Sequence, residues 1–176
     1  PTFVSTDDRV DNIFFSFIVS NTGSVYYFGN IFKPVLYGEG SESEEVETSV
    51  PFRRFECFTV PKLIPSLQNI EYISCGYLHV VCVDVDGRVF TFGSNYYGQL
   101  GIHKKKEVFS NAPNIVDLPP CTQVACGCYF TICLTENGLV YSFGENCYGQ
   151  LGIGMDEDYT YNTPQLIDSL KDVEFI

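Results

Sequence analysis

The chain has 176 residues, of which 45% are hydrophobic and 15% aromatic, a composition that favours a folded domain with a sizeable core over a disordered segment. Its formal net charge is −12, which disfavours direct nucleic-acid binding because contact with the phosphate backbone needs a net basic face. The sequence shows neither a signal peptide nor an apolar run long enough to span a membrane.

The residue pattern is that of strands rather than helices. Tyr and Phe are abundant, Met is nearly absent, and Val and Ile occur in short runs that glycine interrupts about every ten residues. The sequence therefore predicts an all-β fold with little helix.

The first predicted element is a hairpin that returns twice later in the chain. Residues 15–29 match residues 130–144 at a shift of 115 positions. The match is degenerate, because Asp11 and Asn12 replace a Cys-Gly pair and a Gly-Gln-Leu-Gly segment is missing, with only an echo at residues 37–40. This copy is either a terminal unit of a repeat or a unit reshaped by its insertion.

A long insert follows the first hairpin over residues 30–60. It contains an acidic run at residues 39–47, which predicts a solvated loop. A short segment that mixes aromatic and guanidinium side chains comes next: Phe52, Arg53, Arg54 and Phe55. Such side chains are enriched at interface hot spots, although they could equally pack the insert onto its own repeat.

The remaining chain contains a second and a third copy. Residues 75–102 and 126–153 align at an offset of 51 without a gap, and 14 of the 28 positions are identical. The predicted strands of the second copy are residues 70–74, 79–84, 89–93 and 114–117. Four antiparallel strands in each copy of about 50 residues are typical of one blade of a β-propeller.

Two kinds of turn recur in these copies. Asp86-Gly87 and Asn137-Gly138 predict two-residue hairpin turns in which both central residues have positive φ. The Gly-Gln-Leu-Gly segments predict a tight turn whose Leu fills the seam between blades and whose Gln satisfies buried backbone groups. These segments are Gly98, Gln99, Leu100 and Gly101, and then Gly149, Gln150, Leu151 and Gly152.

No arrangement of residues indicates catalysis, a metal site or a cofactor, so the chain is predicted not to be an enzyme. His79 lies in a strand and is interpreted as a packed, hydrogen-bonded residue, whereas His103 lies in a charged loop. Most of the eight cysteines fall inside predicted strands and no Cys-x-x-Cys pair exists. This pattern favours a reducing, intracellular compartment, either cytoplasm or nucleus.

The copies differ most in the inserts between the Gly-Gln-Leu-Gly position and the last strand. Besides residues 30–60, these are residues 103–112 and 154–163. The second insert is basic, with Lys104, Lys105 and Lys106, which would offset the acidic inserts on either side of it. Repeats place equivalent connections on one face, and variable loops on a rigid scaffold often bind partners, so this face is the candidate partner surface. The inserts could also be merely tolerated.

The repeat resembles a known family. The segment Gly-x-Val-Tyr-x-Phe-Gly-x-Asn-x-Tyr-Gly-Gln-Leu-Gly at residues 138–152, with a preceding Cys-Gly-x-x-His as at residues 75–79 and a following Pro-led strand, is similar to the regulator of chromosome condensation repeat. The resemblance covers nearly all of residues 10–176, although Phe92 and Phe143 stand where the family usually has Trp. It implies a seven-bladed β-propeller, and family members include an exchange factor for the GTPase Ran, ubiquitin-ligase subunits and adaptors.

Three functional hypotheses follow. The first is a protein-interaction scaffold that binds a protein partner, such as a small GTPase or a larger assembly, through the inserts. The second is a guanine-nucleotide exchange factor for a Ran-like small GTPase, which the resemblance implies without placing its loops. The third, chromatin binding, is disfavoured by the acidic charge.

The repeat boundaries predict three blades within one propeller domain. These are residues 1–69, 70–120 and 121–171, with residues 172–176 as the inner strand of a following blade. Three blades of an expected seven would leave strand edges unpaired, so we expect further blades or a second chain to cover the open ends.

Overall fold

The computed structural model describes residues 2–5, 15–34, 53–103, 108–154 and 159–176. These residues form twelve strands in three four-stranded sheets, each joining consecutive strands in antiparallel order. Blade 1 contains β1 (Thr2–Ser5), β2 (Phe15–Val19), β3 (Val25–Pro34) and β4 (Arg53–Leu63). Blade 2 contains β5 (Ile70–Cys75), β6 (His79–Asp84), β7 (Val89–Ser94) and β8 (Phe109–Ile115). Blade 3 contains β9 (Cys121–Cys126), β10 (Phe130–Thr135), β11 (Val140–Glu145) and β12 (Thr160–Leu166). The predicted all-β class is confirmed.

The central hairpin has the same register in all three blades. Phe15 pairs with Gly29, His79 with Gly93, and Phe130 with Gly144. The three predicted hairpins are therefore confirmed.

The predicted two-residue hairpin turns are wrong. Gly87 and Gly138 have φ values of 76° and 72°, but neither Asp86 nor Asn137 has positive φ. The Gly87 N–H donates to the Asp84 carbonyl at 2.9 Å, and the Asp84 N–H donates to the Arg88 carbonyl at 3.1 Å. This pattern is a three-residue loop that closes on a left-handed glycine, so only the glycine needs the special conformation.

The outer strands begin earlier than the sequence indicated. The predicted strand at residues 114–117 is observed as β8, whose proline lies in its interior. Proline is tolerated there because β8 pairs only with β7, and the missing N–H can face away from the sheet. The first insert is also partly strand, since Asn30 pairs with Cys57 and Pro34 with Arg53. The hairpin of blade 1 thus continues into the segment that was expected to be a loop.

Among the described residues, two of three hydrophobic clusters lie between blades, and the third groups Leu134, Val140 and Ile167 of blade 3. One cluster joins Phe17 and Val19 of blade 1 to Ile73 and Val80 of blade 2. A second joins Val81 and Val89 of blade 2 to Val124 and Phe143 of blade 3. Each blade is therefore stabilised by burying its faces against its neighbours.

Successive blades are also joined by one repeated backbone contact. The hairpin glycine carbonyl accepts a hydrogen bond from the start of the next repeat, as Gly23 does from Ile70 and Gly87 from Cys121, both at 2.9 Å. Gly138 accepts in the same way from Val173 at 3.2 Å, although residues 172–176 are not in a strand. The domain boundaries remain a prediction.

Candidate partner-binding face

The chain direction in each blade divides the connections between two faces. The β5–β6 and β7–β8 connections leave one edge of blade 2, and the β9–β10 and β11–β12 connections leave the same edge of blade 3. We call this the insert face. The hairpin turns and the links between blades lie on the opposite face.

The Gly-Gln-Leu-Gly turn of blade 2 is inserted into the seam with blade 3. Leu100 is fully buried, its N–H donates to Asn95 Oδ1 at 3.1 Å, and its carbonyl accepts from Thr91 Oγ1 at 2.8 Å. Gln99 Oε1 accepts from the Tyr97 N–H at 2.9 Å, so the Gln side chain does pair with a backbone group. Blade 3 repeats these contacts with the four equivalent residues, Asn146, Ser142, Gln150 and Leu151. The turn is thereby fixed at its Leu and at its Gln.

A buried chain of hydrogen bonds connects this turn to both blades. Thr131 Oγ1 donates to the Gln99 carbonyl at 2.9 Å and lies 3.0 Å from His79 Nε2. Because the Thr131 hydroxyl donates its proton to the Gln99 carbonyl, its oxygen is left as an acceptor, and His79 Nε2–H is assigned as the donor to Thr131 Oγ1. Burial lowers the pKa of His79 to about 3, so the ring is neutral. Its role in the described structure is that of a buried seam residue.

Four tyrosines form a contiguous aromatic cluster on the insert face. Ring centroids are 5.6 Å apart for Tyr77 and Tyr129, 4.8 Å for Tyr97 and Tyr129, and 5.1 Å for Tyr96 and Tyr97. Edge-on and tilted aromatic pairs at these separations are mutually stabilising. Tyr96 is 72% exposed, and Tyr148, the counterpart of Tyr97 in blade 3, is 88% exposed. The tyrosine cluster, defined as Tyr77, Tyr96, Tyr97 and Tyr129, presents aromatic surface next to the inserts.

A carboxylate lies within the electrostatic reach of this cluster. Desolvation, followed by the charge of Glu145, raises the pKa of Tyr97, and desolvation also raises the pKa of Tyr129. Both phenols therefore remain protonated donors at neutral pH. Gln150 Nε2 donates to Glu145 Oε2 at 3.1 Å, which holds the carboxylate in place.

Only some of the sequence-predicted contact residues lie within the described chain. The start of β4, within the first insert, consists of Arg53, Arg54 and Phe55, whose backbone pairs with β3. Phe52, Lys104, Lys105 and Lys106 lie outside the described residues. The tyrosine cluster was missed, because Tyr77 and Tyr129 are not equivalent positions of the repeat and their contact spans two blades. The exposed tyrosines beside each Gly-Gln-Leu-Gly turn were the available signal.

The thiols are unpaired and mostly shielded. All eight cysteines are free, and burial raises the pKa of Cys126 to about 12 and that of Cys82 far above its usual value. Among the described residues, no group of three His, Cys, Asp or Glu side chains is placed to hold a metal ion. The same residues include no helix with the length and hydropathy needed to cross a membrane.

Three consecutive meanders that pack through their inner strands define the chain as part of a β-propeller. The model of the regulator of chromosome condensation (RCC1) repeat matches residues 86–134 and 137–176. A second model of the same description matches residues 70–99 and 121–150. The chain belongs to the family built from this repeat.

Curated relatives carry the repeat within different proteins. The chain is 32% identical to human regulator of chromosome condensation over 88% of its own length and 34% of the relative. It is 41% identical to the mouse serine/threonine-protein kinase Nek9, over 63% of this chain and 12% of that protein. It is 37% identical to the human probable E3 ubiquitin-protein ligase HERC4, over 69% of this chain and 12% of that protein. The chain thus spans about a third or less of these relatives.

Solved structures agree on the fold. Yeast RCC1 (Prp20) bound to Kap60 superposes with a TM-score of 0.67 at 20% identity, covering 86% of this chain and 33% of that one. Human WBSCR16 superposes with a TM-score of 0.59 over 86% of this chain and 36% of that one, also at 20% identity.

Proposed function

We propose that this chain is a protein-interaction module that binds a protein partner through its insert face. The observation that carries the proposal is the tyrosine cluster, which places the exposed ring of Tyr96 and three half-buried rings beside the variable connections. Tyrosine is enriched at interface hot spots because it provides a large contact area together with a hydroxyl group. No chemistry on a bound substrate is needed for this role, so the chain itself acts by binding.

The free thiols support an intracellular setting. Eight unpaired cysteines in a chain of this size are typical of a reducing compartment, and we place the protein in the cytoplasm or nucleus. The acidic net charge favours a partner with a basic contact surface.

The first test removes exposed aromatic surface. Replacing both Tyr96 and Tyr148 with Ala should weaken binding to a partner isolated with the whole chain by at least about tenfold, as expected for hot-spot truncation. Isothermal titration calorimetry would measure the change. The matched control is Val85→Ala, since Val85 is also exposed but lies in a hairpin turn on the opposite face. Equal affinities of the Tyr variant and the control would contradict the proposal.

Charged residues of the inserts provide a second test of the same face. Neutralising Lys104, Lys105 and Lys106, or Arg53 and Arg54, should reduce partner affinity with little change in the free energy of unfolding. Unchanged affinity for a verified partner after both sets of substitutions would mean that the insert face is the wrong surface.

A second candidate function is guanine-nucleotide exchange on a Ran-like small GTPase. It is favoured by the 32% identity to human regulator of chromosome condensation over most of this chain. Release of a fluorescent guanine nucleotide from a Ran-like GTPase would be followed with and without the whole chain. Acceleration in proportion to chain concentration supports exchange, whereas binding without acceleration supports the scaffold alone.

A further inference from the structure

A cavity of about 470 Å³ lies in the seam between blades 1 and 2. Its described lining is largely apolar and comes from both blades, with Phe17, Tyr27 and Leu63 on one side and Leu78, Val80 and Phe92 on the other. The seam between blades 2 and 3 contains the Gly-Gln-Leu-Gly turn at the corresponding place. Within the described residues, the two seams therefore differ in what fills them.

The contacts of the turn in the second seam identify its receiving surface. A Cβ on Gly98 would lie 2.7 Å from Asn162 Cα and 2.8 Å from the Tyr161 carbonyl oxygen. A Cβ on Gly101 would lie 2.8 Å from the Phe143 ring. Thr131 completes this surface by donating its hydroxyl proton to the Gln99 carbonyl. The turn of one blade is thus received by four residues of the next.

The equivalents of all four receiving residues line the cavity in the first seam. At the repeat offset of 51, the equivalents of Thr131, Phe143, Tyr161 and Asn162 are Val80, Phe92, Ser110 and Asn111, in that order. All four of these equivalents line the cavity. The blade that should supply the turn is blade 1, whose sequence lacks Gly-Gln-Leu-Gly. Its β3 instead continues to Pro34, paired in register with β4. The receiving surface is present although its turn is missing.

The substitutions on this surface change what it can recognise. Val80 cannot donate a hydrogen bond to a turn carbonyl as Thr131 does, and Ser110 is smaller than Tyr161. Tyr27 of blade 1 is the equivalent of Thr91 in blade 2, whose hydroxyl donates a hydrogen bond to the Leu100 carbonyl. The Tyr27 ring instead packs against Phe58, with ring centroids 5.3 Å apart. The two hydroxyl groups that anchor the turn backbone, at Thr91 and Thr131, are thus replaced by the side chains of Tyr27 and Val80. The surface is suited to an apolar side chain more than to a hydrogen-bonded turn.

We propose that the seam between blades 1 and 2 is a binding site for a leucine side chain carried on a glycine-flanked turn of a partner protein. The partner's leucine occupies the position that Leu100 takes in the following seam. Burial of a leucine side chain contributes the main driving force. This site goes beyond the insert face and does not use the tyrosine cluster, so either proposal can fail alone.

The test uses the whole chain with methyl-labelled Leu and Val and a synthetic peptide of residues 95–102. We expect saturable shifts at the Leu78 and Val80 methyl groups in the NMR spectrum, with the Val124 methyls of the second seam unchanged. The same peptide with Leu100→Ala should bind about tenfold more weakly, the change expected for loss of a buried leucine side chain.

Two matched variants of β4 locate the site. Leu63→Asp places a charge on the cavity wall, where Leu63 is 48% exposed, and should abolish the peptide-induced shifts. Val60→Asp changes a 63% exposed residue of the same strand outside the described lining and should leave them intact.

Three results would overturn the proposal. The first is the absence of saturable shifts up to about 10 mM peptide, the weakest affinity that a buried leucine would give. The second is an equal response at Val124, which would mean that the peptide displaces the chain's own turn. The third is a set of nuclear Overhauser contacts from Val80 to residues 35–52 in the free protein, which would mean that the chain fills its own cavity.

Discussion

At the scale of the residue, His79 shows how one repeat position can hold different side chains. Its equivalents are Phe15 and Phe130, and all three begin the second strand of their blades. The space therefore accepts an aromatic ring of either kind. The imidazole adds one hydrogen bond to Thr131. Unlike phenylalanine, however, it can be protonated, and a buried positive charge destabilises the fold.

This titration predicts a specific pH dependence of stability. Because burial lowers the folded pKa of His79 from 6.5 to about 3, the unfolded chain binds the proton first, and stability is lost as the pH falls through this window. Between pH 7 and pH 5 the loss from this one group is about 2 kcal/mol. His79→Phe should remove that contribution, as measured by urea unfolding at pH 7 and pH 5.

The control for this experiment is His103→Gln, which changes an exposed histidine of the second insert and should keep the wild-type slope. Parallel stability profiles for His79→Phe and the wild type would show that the buried imidazole is not the group responsible.

At the scale of the element, the Gly-Gln-Leu-Gly turn should respond to substitution according to what its glycines touch. Gly98 and Gly154 both have left-handed φ values, 80° and 91°, so alanine is strained at either position by about 1 kcal/mol. Only Gly98 has backbone of the next blade within 3 Å of the added Cβ, whereas Gly154 has no atom within 4 Å among those described. Gly98→Ala should cost at least about 2 kcal/mol more than Gly154→Ala in the free energy of unfolding. Similar costs would mean that the turn does not fill the seam.

Much of each element could be predicted from the sequence, for reasons that differ between elements. The central hairpins follow from alternating β-formers on either side of a glycine, a local pattern that fixes the register. The turn type was wrong because Asp-Gly and Asn-Gly fit two loop lengths, and hydrogen bonding at Asp84 and Thr135 selects the longer one. The tyrosine cluster could not be predicted, since its contacts depend on how two blades are placed against each other.

At the scale of the whole molecule, the two seams should not be equally strong. The second contains a buried turn and the His79–Thr131–Gln99 hydrogen bonds, whereas the first contains a cavity. Proteins open first where buried contacts are fewest. In hydrogen exchange followed by mass spectrometry, β2 and β3 should therefore lose protection before β10 and β11.

The central hairpins of the three blades have the same register, so they are matched reporters of this difference. Faster exchange in β10 and β11 than in β2 and β3 would contradict the ranking of the seams. Peptide binding in the first seam should slow exchange in β2, which would connect this measurement to the proposed leucine site.

The turn of blade 2 lies within the surface of blade 3, so a change in one repeat alters the contacts of the next. A duplication copies the chain in units that begin and end within one repeat, whereas each seam is shared between two successive copies. In blade 2, Val80 and Ser110 stand at the positions that Thr131 and Tyr161 take in blade 3, next to a blade 1 whose sequence lacks the turn. Compensating changes in this architecture should therefore be sought in the successor of an altered repeat rather than in the repeat itself.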